Sequence, residues 1–218
     1  MENWRKEEKD FFDLHVHSHY SRDCKSNPKS IIKEAERRGL SGLAITDHNT
    51  TDFHYKVRIE TDLLIIPGIE VSTNKGHIIG LGIKNTIPKR LSIEETIETI
   101  LEFGGEAIVP HPFDITRKGI GKRIFKLEKI FVETQNGSCW LQYFNNRAKN
   151  FARRKNFPET GGSDSHRIQD VGMAYTVCPK GIESIDDLLE SIRKRKTKGE
   201  GAHLSLPEKF IRAFQIHL

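Results

Sequence analysis

The chain has 218 residues, of which 36% are hydrophobic, enough for one sizeable core and too few for two generous domains. Lys and Arg outnumber Asp and Glu by 35 to 30, and this mild positive charge favours anionic partners without identifying them. Residues 1–10 are mostly charged and no apolar run is long enough to cross a bilayer, so we expect a cytoplasmic protein that does not bind membranes. Three cysteines without a CxxC pair indicate neither a disulfide framework nor a thiolate zinc site.

The first half of the chain predicts strands that alternate with helices. A strand at residues 11–16 precedes a helix that Asn27 caps, Pro28 begins and Gly39 ends. Apolar runs too short for helices predict three further buried strands, at residues 42–46, 63–69 and 78–81.

The second half continues the alternation. A capping box from Ser92 to Glu95 begins a helix that ends at Gly104. Strands are then predicted at residues 107–109, 130–133, 159–162 and 174–178, and helices at 142–155 and 184–195. This pattern favours an α/β architecture in one domain over residues 1–218, with a motif core at 11–180 and a C-terminal helical segment at 181–218.

Polar side chains that can bind metal follow five of the predicted strands. They are His15 and His17, then Asp47 and His48, then Glu70, then His111, and finally Asp164 and His166. The carboxyl ends of strands in a parallel barrel form one rim, where residues far apart in sequence meet. His15 and His17, two residues apart, project from the same side of their strand, as two ligands of one ion require. The sequence therefore predicts a metal cluster at one rim, while isolated histidines such as His54, His203 and His217 carry no such prediction.

Imidazole and carboxylate ligands without thiolate suit Mn²⁺, Fe²⁺ or Zn²⁺. A carboxylate such as Glu70 can place its two oxygens on two different ions, as two-metal hydrolytic sites need. Glu70 is therefore the predicted centre of the cluster, and Asp47, which precedes a ligand, is expected to orient its neighbours.

The succession DLHVHS, TDH, GIE, HP and GSDSH resembles the PHP family, named for polymerase and histidinol phosphatase, and in particular its compact metal-dependent phosphoesterases. The resemblance spans residues 11–180. It implies a distorted (β/α)7 TIM-like barrel with two or three divalent metal ions.

The resemblance also implies which residues bind each ion. His15, His17, Glu70 and Asp164 would hold one metal, and Glu70 would bridge to a second that His111 and His77 also bind. A third would take Asp23, His48 and His166. Arg22 separates Ser21 from Asp23, unlike the family pattern, so His19 is the alternative ligand if this loop is shifted.

The hypothesis for the reaction is that water activated by two metals attacks phosphorus in line. Glu70 and His166 are the nominated catalytic residues, with a histidine or a water protonating the leaving group. Arg117, Lys118 and Arg123 follow His111 in a rim loop and are predicted to bind the phosphate of a small molecule, nucleotide or oligonucleotide. The sequence leaves the oligomeric state open.

Three alternatives to this function remain. One is a phosphomonoesterase similar to histidinol phosphatase. Another is an RNA-binding scaffold without catalysis, like the barrel proteins of ribonuclease P, although such a scaffold would not need the ligand set. The third is an amide hydrolase, because the same metals activate water for attack on carbonyl carbon.

Overall fold

The computed structural model describes residues 8–204 and arranges them around a nine-stranded sheet. In chain order the strands are β1 (Lys9–Val16), β2 (Gly42–Ile45), β3 (Leu64–Thr73), β4 (Gly76–Leu81), β5 (Glu106–Val109), β6 (Phe131–Asn136), β7 (Glu159–Gly162), β8 (Ala174–Pro179) and β9 (Lys198–Gly201). Their spatial order is β7-β6-β5-β4-β3-β2-β1-β8-β9.

Five α-helices are present within the described residues: α1 (Pro28–Arg38), α2 (Asp52–Lys56), α3 (Ile93–Glu102), α4 (Gln142–Lys155) and α5 (Ile185–Arg193). The predicted capping signals act as expected, because the Asn27 side chain accepts from Lys29 N–H and Ser92 forms a reciprocal capping box with Glu95. Each longer helix buries its apolar face against the sheet, as Ile97 and Ile100 of α3 do beside Ile83 and Ile69. None of the helices in residues 8–204 has the length and apolar character needed to cross a membrane.

The strand β4 runs in the opposite direction to its neighbours, and this direction decides where the side chain of His77 lies. β4 pairs antiparallel with both β3 and β5, whereas the β1–β2–β3 and β5–β6–β7 pairings are parallel. An antiparallel strand begins at the rim where its parallel neighbours end. His77, the second residue of β4, therefore lies at the same rim as the residues that end β1 and β3.

The sheet curves until the residues after β7 meet β1. Asp164 N–H donates to the His15 carbonyl at 2.7 Å, and His17 N–H donates to the Ser165 carbonyl at 3.1 Å. Asp13, wholly buried in β1, accepts from Ser163 N–H at 2.8 Å. These bonds make a nearly closed barrel and bring the two most distant groups of predicted ligands together.

Several features depart from the predictions. β8 pairs antiparallel with the outer edge of β1, and β9 extends the sheet beyond it. The short helix α2 was not predicted. The expected C-terminal helical segment 181–218 contains α5 but also the strand β9, and its residues 205–218 lie outside the described part of the chain.

Candidate metal centre

Nine side chains predicted as metal ligands converge at the rim. Four sets of three donor atoms have all their atoms within 4.8 Å of one another: His15–His17–Glu70, His15–His111–Asp164, His48–Glu70–His77 and His17–His48–His166. Asp23 joins the last set, because its Oδ2 lies 3.2 Å from His166 Nε2 and 3.4 Å from His48 Nε2.

Glu70 presents its two carboxylate oxygens to different histidines. Oε1 lies 2.8 Å from Nδ1 of His77 and 3.2 Å from Nε2 of His111. Oε2 lies between 3.1 and 3.4 Å from nitrogens of His48, His17 and His15. This division between two groups of imidazoles is the arrangement of a carboxylate that bridges two ions.

The cluster has a buried part and a part at the surface. Six residues are almost wholly inaccessible, namely His15, His17, Glu70, His77, His111 and Asp164. The side chains of His48 and His166 are 21% and 23% exposed, and that of Asp23 is 52% exposed. The three proposed ligands of the third metal are therefore the ones that face solvent.

The charges of the cluster keep its carboxylates ionised, and the charges of Asp164, Glu133 and Glu70 outweigh burial and raise the pKa of His15 well above its usual range. Burial by itself raises the pKa of Glu70, but the nearby His77, His48 and His15 outweigh it and hold that pKa well below its usual range. Burial likewise opposes ionisation of Asp164, but Arg117 and His15 lower its pKa strongly. Burial lowers the pKa of His77, despite the opposing charge of Glu70, and so favours the neutral imidazole that binds metal.

The donor set fits divalent metal ions. The buried Nδ1 atoms of His48 and His111 make no hydrogen bond to any described residue, although His48 Nδ1 lies 3.1 Å from Glu70. Buried polar atoms are rarely left without a partner, and an ion beside Glu70 would provide one for Nδ1 of His48. His111 and Asp164 also adopt positive φ angles of 32° and 52°, a conformation that costs non-glycine residues energy and clusters at functional sites.

Side chains behind the cluster fix the histidine rings. Glu133 accepts from His111 N–H at 2.7 Å through Oε2, and its Oε1 lies 3.0 Å from Nδ1 of His15. By accepting the Nδ1 proton of His15, Glu133 would leave Nε2 of that ring to bind an ion. Glu133 was not among the predicted ligands. A polar residue near the end of a strand can serve a metal site or only form hydrogen bonds, so its position in the sequence does not reveal its role.

Asp47 orients the other half of the centre without entering it. It accepts from the hydroxyls of Ser18 at 2.6 Å and Ser21 at 3.0 Å. The Ser21 hydroxyl in turn lies 3.2 Å from His17 Nδ1 and accepts from His48 N–H. The sequence analysis did not predict a role for Ser21, yet its hydroxyl connects Asp47 to the candidate ligands His17 and His48.

The three residues predicted to bind phosphate occupy different places. Arg117 and Lys118 line a cavity of about 150 Å³ together with the cluster. Arg117 donates from Nε to Asp164, and its other guanidinium N–H groups have no hydrogen-bond partner within residues 8–204. Arg123 lines a separate cavity with Lys75, Lys122 and Lys126. His19, the alternative third-site ligand, is exposed and its ring packs on Tyr20.

Two family models match the chain. One, described as the PHP domain, matches residues 13–137, and another, described as PHP-associated, matches residues 142–197. An uncharacterised protein of Methanocaldococcus jannaschii is 34% identical over 184 residues, which are 81% of this chain and 74% of that protein. A 5′-3′ exoribonuclease of Haemophilus influenzae is 26% identical over 156 residues, covering 61% of this chain and 56% of the exoribonuclease.

A solved structure has the same fold. It is a two-domain protein from Bacteroides vulgatus described as containing a PHP-like metal-dependent phosphoesterase. It matches with a TM-score of 0.71 at 18% identity, covering 89% of this chain and 65% of that one. This likeness confirms the predicted distorted TIM-like barrel.

Proposed function

The chain belongs to the PHP domain family, and we propose that this metal-dependent hydrolase of phosphate esters acts on nucleotides or on the ends of nucleic acids. The observation that carries the proposal is the position of Glu70 between two groups of histidines. A bridging carboxylate is typical of two-metal sites that cleave phosphate esters. Similarity to an exoribonuclease over part of its length supports a nucleotide-containing substrate.

We assign roles to the residues as follows. His15, His17, Glu70 and Asp164 would hold one divalent ion, Glu70, His77 and His111 a second, and Asp23, His48 and His166 a third. When bound, such ions supply the Lewis acidity that lowers the pKa of water and neutralises phosphate oxygens.

The chain's own side chains would bind the phosphate and deliver a proton. The guanidinium of Arg117 would bind a phosphate oxygen through its free N–H groups, because it already lies at the edge of the cluster. Lys118, exposed beside it, adds a second positive charge. When the third ion is absent, Nε2–H of His166, partly exposed at the mouth of the cavity, would donate a proton to the leaving alkoxide.

The test is release of phosphate or of mononucleotides by Mn²⁺-loaded protein from a panel of compounds. The panel contains mononucleotides, 3′,5′-bisphosphates, short 5′-phosphorylated RNAs and histidinol phosphate. We expect release from the nucleotide compounds, its loss on chelation of the metal and its loss in His15→Ala. His54→Gln, a change at a histidine outside the cluster, should retain the activity. Inactivity on every phosphoester with metals bound, or preference for histidinol phosphate, would refute the proposal.

A further inference from the structure

A second cavity lies between the segment that follows β5 and helix α4. It has a volume of about 550 Å³ and is lined by four aromatic, three basic and two amide side chains, which are Phe113, Phe125, Tyr143, Phe151, Arg147, Arg154, Lys155, Asn146 and Asn150. No carboxylate is among these residues. We call it the aromatic-basic cavity.

The aromatic side of the cavity is partly open to solvent. Phe113 and Phe151 are buried, whereas Phe125 is 51% and Tyr143 is 62% exposed. Phe125 packs edge to face on Phe151 with ring centroids 5.2 Å apart, so a rigid neighbour holds it in place. Of the seven large hydrophobic side chains exposed within residues 8–204, five lie in residues 115–143. Two of them, Phe125 and Tyr143, line this cavity, and exposed rings that share a cavity are typical of a binding surface.

The basic side of the cavity carries charge that no carboxylate of residues 8–204 neutralises. The Arg147 guanidinium lies 4.4 Å from the centre of the Phe113 ring. Arg154 and Lys155 are exposed, and neither pairs with a carboxylate in the part of the chain that the structure describes. Their neighbour Arg153, in contrast, pairs with Glu159 at 3.2 Å. The positive potential is therefore directed at the cavity and suits an anionic ligand.

The cavity and the metal centre share one segment of chain. Phe113 follows the candidate ligand His111 by two residues, and Asp114 N–H donates to the His111 carbonyl at 3.0 Å. Asp114 also accepts from Trp140 N–H at 2.6 Å, which ties this segment to the residues that begin α4. The segment that carries the candidate ligand His111 thus also forms one wall of the cavity.

We propose that the aromatic-basic cavity binds the bases and backbone phosphates of a single-stranded nucleic acid. Exposed rings that stack on bases, beside cations that contact the backbone, are the two elements of single-strand recognition. Amide side chains such as Asn146 and Asn150 add hydrogen-bonding groups for base edges. The inference rests on the proposed function only in placing the phosphorylated end of the strand at the metal centre.

Fluorescence anisotropy with the full Mn²⁺-loaded chain tests this binding site. The probes are labelled single-stranded RNA and DNA decamers with phosphorothioate linkages, which resist hydrolysis. Phe125→Ala and Tyr143→Ala should each raise the Kd at least about fivefold, the lower end of the effect of losing one base-stacking ring. Phe103→Ala and Tyr55→Ala, which remove exposed rings elsewhere, should leave the Kd unchanged.

The salt dependence of binding tests the cations separately. The Arg154→Ala/Lys155→Ala double variant should reduce the slope of log K against log salt by about 1.4, since each single-strand phosphate contact contributes about 0.7. The Lys149→Ala/Arg153→Ala double variant removes the same charge from α4 outside the cavity and should retain the slope. A merely structural role would lower stability without changing this slope.

The outcomes separate this inference from the proposed function. Decamer binding that is unchanged in all cavity variants would overturn the inference even if nucleotides are hydrolysed. Loss of a dimer in the Tyr143→Ala variant, seen by sedimentation, would overturn it in favour of a second copy of the chain. Cavity-dependent binding with no release of phosphate or mononucleotide from any substrate would support the inference and refute the proposed function.

Discussion

Arg117 donates its Nε–H to Oδ2 of Asp164 at 2.6 Å, while Oδ1 of the same carboxylate lies 3.4 Å from His17 Nε2. Burial lowers the pKa of this arginine, but the charge of Asp164 outweighs burial and raises it, so the guanidinium stays charged. One carboxylate thus joins the candidate metal centre to a cation that can bind phosphate.

This pairing predicts a specific result for Arg117→Ala. The variant should lose about 10- to 100-fold in kcat/KM for phosphoesters, as expected for a charge-assisted hydrogen bond worth about 1.5–3 kcal/mol. It should retain its bound metal, because Asp164 remains. Steady-state kinetics with metal analysis checks both parts. Unchanged kcat and KM would exclude Arg117 from substrate binding, and metal loss with unchanged KM would show that it only positions Asp164.

Glu70→Gln should remove most of the activity. The amide keeps the size of the side chain but loses the charge that faces five histidines, and its nitrogen cannot bind an ion. We expect activity to fall by more than about 100-fold, since losing partners behind the ligands already costs about 10- to 100-fold. Metal content measured by mass spectrometry should fall as well. Glu159→Gln, on β7 and outside the cluster, is the control, and full metal content in Glu70→Gln would contradict the bridging role.

Glu133→Gln should weaken metal binding without preventing catalysis. The neutral amide holds the His15 ring and the His111 backbone less firmly, and such losses lower metal affinity about 10- to 100-fold. Excess Mn²⁺ should therefore restore most of the activity. Titration of metal-depleted protein with Mn²⁺ measures the shift. Activity that no metal concentration restores would instead place Glu133 among the ligands.

Gly162→Ala should disturb the centre through close packing. A Cβ at this position would lie 2.4 Å from Cβ of His15 and 2.7 Å from its backbone nitrogen. Because such overpacking costs about 1–3 kcal/mol, we expect a lower free energy of unfolding in urea together with reduced metal content. Gly104→Ala, where no atom lies within 4 Å, should lower stability through its positive φ angle alone and keep the metal. Equal metal content in the two variants would argue against the proposed contact.

His54 should make the stability of the protein depend on pH. Its Nε2 lies 3.1 Å from the Ile45 carbonyl oxygen, and burial lowers the pKa of this imidazole below its usual value of 6.5. Below pH 6.5 the unfolded chain therefore takes up a proton before the folded one. As the pH is lowered from 6.5 to the pKa of His54 in the folded protein, the free energy of unfolding therefore decreases by about 1.4 kcal/mol per pH unit. Below the folded pKa this loss stops.

Urea unfolding between pH 7.5 and 5 measures this effect. His54→Gln should lose less stability than the wild type on acidification, because glutamine does not titrate. The metal centre contributes equally in both proteins, so its pH dependence cancels in the comparison. Parallel stability curves for the two proteins would show that His54 contributes nothing to the pH dependence.

The sequence was most informative where apolar runs end in polar residues. The strands that deliver His15, Glu70 and His111 could be located because buried strands are short and apolar, and the barrel rule then brings their ends to one rim. The reversal of β4 and the antiparallel pairing of β8 with β1 were not predictable, because strand direction depends on chain connections that leave no local pattern. The hydrogen bonds of Glu133 to His15 and His111 were also not predictable from the sequence. A glutamate that orients a ligand and a glutamate that binds metal look the same in a sequence.

The hairpin of β3 and β4 affects the order in which the metal centre forms during folding. Glu70 and His77 are seven residues apart and meet as soon as this hairpin pairs. The contact of Asp13 with Ser163 spans 150 residues and requires the whole barrel to close. Contacts between distant residues carry a larger entropic cost and form late. We therefore expect a nascent chain to assemble the Glu70–His77 pair early and to acquire high metal affinity only at the last step, so metal uptake reports completed folding.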